Sequence, residues 1–156
     1  MQTRNNTLRY IGYDYSKEGA YFITICTKNK VCSLGKVIDK QMNLNNSGTI
    51  ANEFIKEIPS KYSNVIVYES VVMPNHVHLI IEIKFSGILS EKGSILPTPD
   101  VVNRRKMLIP KIIGWYKMNT AKRINLINSS TGKEFWQRSY YDHIIRNVES
   151  YQKISD

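Results

Sequence analysis

Two runs, NVIVYESVVM (64–73) and HVHLIIEIK (76–84), carry dense β-branched and apolar residues. In the second, Val77, Leu79, Ile81 and Ile83 alternate with His76, His78, Ile80, Glu82 and Lys84, the period of two expected of a strand with one buried face. Pro74-Asn75 between the runs predicts a tight turn and hence an antiparallel hairpin. AYFITICTKN (20–29) reads as a further strand, and a short strand or hairpin is expected over Gly35–Leu44. In NNSGTIANEFIKEIPSKY the spacing of Ile50, Phe54, Ile55 and Ile58 changes to that of a helix, which Pro59 is expected to stop.

The second half follows the same logic. Gly87, Gly93, Pro97 and Pro99 mark residues 86–109 as a loop. A helix is expected from Pro110, with Ile113, Tyr116, Thr120, Ile124 and Ile127 on one face and Lys111, Trp115 and Lys122 roughly opposite. KEFWQRSYYDHIIRN reads as extended, and Asn147 as the cap of a last helix bearing Val148, Tyr151 and Ile154. The order predicts an α+β fold, a ferredoxin-like β-α-β-β-α-β arrangement with an antiparallel sheet and helices packed on one face. Residues 1–156 are read as one domain.

Composition narrows the setting. No apolar run approaches the roughly 18 residues of a membrane span, and MQTRNNTLRY lacks the apolar core of a secretory signal. A cytoplasmic protein without a membrane partner is expected. Cys26 and Cys32 have no CxxC spacing and are read as packing residues. The net charge of +9 is unevenly spread. Residues 84–156 hold thirteen basic and six acidic side chains, a net of +7, against +2 before them. From Arg104 to Arg123 seven basic residues run without an acidic one. Such asymmetry fits either a polyanion-binding surface or a merely soluble basic face.

His76 and His78 fall on the same strand face, about 7 Å apart at the backbone, where two imidazoles can converge on one metal ion. Taken alone, the pair is equally consistent with polar residues on an exposed sheet face. HxH pairs also occur in nucleotide hydrolases and cupin-like metal sites. Glu82, further along that face, reads as a surface charge more readily than as a third ligand.

VVMPNHVHLII, IIGWYKMNTAKRIN and FWQRSYYDHIIRN, in that order, resemble the single-tyrosine HUH transposases, in particular the REP-associated tyrosine transposases and their insertion-sequence relatives. The resemblance covers nearly the whole chain from YFITICTKN onward and places the histidine pair on a central strand. It implies that His76 and His78 are catalytic and bind a divalent metal, Mg2+ or Mn2+. It also implies that the partner is single-stranded DNA with a hairpin, cleaved and rejoined through a 5′-phosphotyrosine. Insertion-sequence relatives often form homodimers. The family's tyrosine lies on the final helix, and in this register it falls just past Asp156. The chain is therefore expected to lack the end of that helix, with Tyr151 packing one to two turns upstream. The alternative is that Tyr151 is itself the nucleophile.

With that resemblance, the basic half acquires a role in contacting phosphates. The candidates are Arg104, Arg105, Lys111, Lys122, Arg123, Arg138 and Arg146, and Trp115 is either a base-stacking platform or buried. Two other readings remain: a non-catalytic DNA-binding relative, and a metal hydrolase, which would want further acidic or histidine ligands.

Overall fold

The computed structural model describes residues 19–84 and 108–145. The expected loop up to residue 107, Arg104, Arg105, Arg146, Tyr151 and the last helix lie outside these residues. Strands β1 (Gly19–Cys26), β4 (Val65–Met73), β5 (His76–Ile83) and β6 (Tyr141–Ile145) form one antiparallel sheet in the order β4-β5-β1-β6. Helices α1 (Asn46–Lys61) and α2 (Leu108–Ile127) complete the βαββαβ order, the ferredoxin-like arrangement. Strands β2 (Gly35–Ile38) and β3 (Gln41–Leu44) are a separate hairpin inserted before α1. Its turn residues Asp39 and Lys40 both take positive φ, 49° and 63°, the combination that matches the twist of a two-residue hairpin.

Alternation decides which sheet face is covered. Tyr21, Ile23 and Ile25 of β1 and Val77, Leu79, Ile81 and Ile83 of β5 are all fully buried in one cluster with Ile55 and Ile58 of α1 and Ile109, Ile112 and Tyr116 of α2. The other face carries Phe22 and Thr24 beside Ile80 and His78. Tyr116 donates to the Ala51 carbonyl at 2.8 Å, joining the helices within the core. Trp136 Nε1 donates to Thr120 Oγ1 at 2.9 Å and holds the segment before β6 against α2.

Asn45 caps α1, its side chain accepting from Gly48 N at 2.9 Å. A Cβ on Gly48 would lie 2.0 Å from the Leu34 carbonyl oxygen, so the first turn of α1 can approach that backbone only as glycine. Leu34 in turn donates its N–H to the Pro74 carbonyl at 3.0 Å, fixing the β4–β5 turn.

Several details differ from expectation. Pro59 lies inside α1 rather than ending it, and the helix closes when Tyr62 N–H bonds the Ile58 carbonyl at 2.9 Å. One absent N–H in the last turn is tolerable where apolar residues on both sides are already packed. Helix α2, Leu108–Ile127, carries Pro110 in its first turn, as expected. Ile127, placed on the inner face by the helical wheel, is 53% exposed at the last position of the helix. Cys32 is exposed and is not a packing residue, while Cys26 is buried.

Candidate metal centre and adjoining groove

Strand β5 is interior, flanked by β4 and β1, and it holds His76 and His78 on the sheet face away from the buried cluster. The β1–β5 register sets Cys26 opposite His76 and Thr24 opposite His78. The two imidazole centroids are 4.5 Å apart with planes at 72°, so the rings converge instead of splaying. His78 also stacks on Phe22, at 5.0 Å and 23°.

Each ring is held through Nδ1. His76 Nδ1 lies 2.6 Å from Asn75 Oδ1, and the same amide donates from Nδ2 to the Lys30 carbonyl at 3.4 Å, which orients it. An amide oxygen can only accept, so His76 Nδ1 carries the proton and Nε2 keeps its lone pair. Thr24 Oγ1 lies 2.9 Å from His78 Nδ1, and a hydroxyl can likewise accept from it. Partners of this kind behind metal-binding imidazoles fix tautomer and ring orientation. With Thr24 accepting from His78 as Asn75 does from His76, both Nε2 atoms keep lone pairs that fit one side of a divalent-metal site. Among the described residues no group of three His, Cys, Asp or Glu side chains could hold an ion. Nitrogen donors suit Mn2+ better than Mg2+, which prefers oxygen.

Burial lowers the pKa of both imidazoles from the usual value, and at His78 the neighbouring His76 lowers it further. The rings thus stay neutral to lower pH than a free histidine, and metal ligation, which needs them neutral, should persist on the acid side of about 6.5. A ¹H–¹⁵N titration of the imidazoles should show midpoints below that value and the Nδ1–H tautomer for His76. Asn75→Ala should leave His76 a tautomer mixture. Finding Nε2–H at His76 in the unaltered protein would refute the assignment.

The other predicted residues are dispersed. Glu82 accepts from the Tyr68 hydroxyl, toward the far end of β5. His143, exposed on β6, sits opposite Phe22 and does not join the pair. Lys111, Lys122 and Arg123 are exposed on α2, in the helical layer on the opposite side of the sheet from the imidazoles. Arg123 lies 5.9 Å over the Phe54 ring. Arg138 is exposed before β6, and Lys117 donates to the carbonyls of Gln137 and Arg138. Trp115 packs edge-on against Phe54 and Tyr62, at 5.9 and 6.2 Å, as part of the α1–α2 contact. Asn75 and Thr24 escaped sequence reading as positioning residues. Asn75 was detectable by adjacency, whereas Thr24 is 54 residues from His78 and only register reveals it.

No protein-family model matches the chain. An uncharacterised protein of Haemophilus influenzae Rd is 36% identical over 161 residues, spanning 95% of this chain and 82% of that protein. Among solved structures, a REP-associated tyrosine transposase bound to a REP hairpin aligns with TM-score 0.51 and 17% identity. That alignment covers 94% of this chain but 66% of the transposase, just under two thirds. A candidate transposase of Deinococcus radiodurans R1 aligns with TM-score 0.51 and 16% identity, over 94% of this chain and 93% of that one. At such identities the likeness is one of fold.

Proposed function

From the premise that this chain belongs to one family with the Haemophilus influenzae protein, and from its transposase-like fold, we propose that it is a transposase-like DNA-processing protein acting on single-stranded DNA beside a hairpin. The observation that carries the reading is the converging His76–His78 pair on an open sheet face, with both Nδ1 atoms engaged. His76 and His78 present Nε2 toward a phosphate, and Asn75 and Thr24 hold the two rings in place. A bound Mn2+ or Mg2+ would supply offset of negative charge on that phosphate. Tyr151, or a tyrosine supplied beyond Asp156, is the nucleophile. Its oxygen bonds to phosphorus, the P–O3′ bond breaks, and the 3′-oxygen leaves as a hydroxyl on taking up a proton. The basic side chains of α2 then bind flanking DNA away from the imidazoles, because the sheet lies between them.

The test is a fluorescent hairpin oligonucleotide with single-stranded tails, incubated with Mn2+. Binding should weaken steeply with salt, as expected for phosphate contacts. A denaturation-resistant adduct lost on Tyr151→Phe assigns that tyrosine, and one formed only by a C-terminally extended chain assigns the later residue. Salt-sensitive binding without adduct in either chain would make the protein a non-catalytic DNA-binding relative. Ester hydrolysis without DNA binding would overturn the proposal in favour of a hydrolase.

A further inference from the structure

A pocket of about 290 Å³ opens on the same sheet face, lined in part by Phe22, Glu69, Val71, His78 and Ile80. Its origin is local. Between Val67 and Glu69 the β4–β5 register slips, so that Val67 faces Ile81 and Glu69 faces Ile80, with Tyr68 as the extra residue. Such a bulge bends and twists the strand that carries it. Beyond it, Glu69 and Val71 of β4 stand across Ile80 and His78 from Phe22 of β1. Ile80 is only 3% exposed although it points away from the main core, and it forms an apolar floor. Phe22 and His78, stacked, form an aromatic wall, and the opposite wall is Val71, which is 45% exposed.

We infer that this pocket is a slot for one unpaired nucleobase. The inference deepens the proposed function and rests on it: His78 belongs to both places, so a base in the slot is one nucleotide from a phosphate at the imidazoles. A pocket of this volume falls at the lower limit of small-molecule sites, commonly about 300–1,000 Å³, and suits a single planar ring system. An aromatic wall over an apolar floor favours a π-face of any base.

The experiment uses short single strands carrying one 2-aminopurine, whose fluorescence is quenched on stacking, and controls with an abasic site in its place. With the unaltered chain, quenching and binding should both appear, and the abasic strand should bind about tenfold more weakly. That is the scale of about 1–3 kcal/mol per stacked base at 1.4 kcal/mol per decade. Phe22→Ala should abolish the quenching, and Phe22→Trp should restore it. Val71→Trp, at an exposed edge position that a large side chain can occupy without unfolding the sheet, should fill the slot and equalise the normal and abasic strands. Salt-sensitive binding that is indifferent to the abasic site and to Val71→Trp overturns the slot while leaving the proposed function standing. Absence of any single-strand binding overturns both.

Discussion

Replacing His78 by alanine is expected to reduce Mn2+ affinity by more than the ~10–100-fold typical of removing an outer-shell partner of a metal ligand. The argument is one of chelation. His76 and His78 lie close enough, 4.5 Å between centroids, for both Nε2 atoms to serve one ion. Among the described residues no third such side chain compensates for a lost imidazole. His76→Ala should cost about as much as His78→Ala, and the double variant little more than either, since groups acting as a unit are not additive. Titration calorimetry, or the paramagnetic resonance of free Mn2+, reads the difference directly. Both rings are only partly buried, so the variants should keep their fold, and circular dichroism checks that. Mn2+ binding unchanged in the double variant would dismantle the metal centre.

The part of this site legible in the sequence is the part set by local rules. Alternation in HVHLIIEI fixed which residues of β5 face the core, and Pro74-Asn75 fixed the hairpin that makes Met73 and His76 partners. Helix α1 was equally readable, because its apolar spacing is strong. What was not legible depends on how elements meet. Thr24 reaches His78 only because β1 inserts between β5 and β6, a choice made by global topology. The register slip at Tyr68 that opens the pocket has no proline or glycine to announce it. The basic run was legible as charge but not as a location. Charge periodicity on α2 says which side of the helix is wet, and only the packing of α2 on the sheet says that Lys122 and Arg123 are remote from the imidazoles. Trp115 stays open between base stacking and burial in the sequence for a related reason. A helical wheel admits one buried face, whereas α2 has two neighbours, the sheet and α1, and Trp115 meets the second through Phe54 and Tyr62.

That double burial makes Tyr116→Ala among the most destabilising single changes expected. Tyr116 is fully buried, packs on Trp136 at 5.9 Å between centroids and donates to Ala51 across the helix pair. Truncating a large buried aromatic typically costs about 3–5 kcal/mol, from lost transfer energy and the cavity left behind. For a chain of this size that lowers Tm by roughly 2–4 °C per kcal/mol. Tyr116→Phe keeps the ring and should cost only about 0.5–1.5 kcal/mol, the usual net value of one hydrogen bond. The pair of variants carries a pH signature as well. Burial raises the phenol's pKa well above its ordinary value near 10. The folded state therefore holds the proton that the unfolded state releases. Its contribution to stability is complete below pH about 10 and declines as pH rises further, toward the folded-state value. Tyr116→Phe should flatten that alkaline decline in urea-melting profiles. An unchanged alkaline arm, or a Tyr116→Ala variant as stable as the parent, would show that α2 is not anchored through this ring.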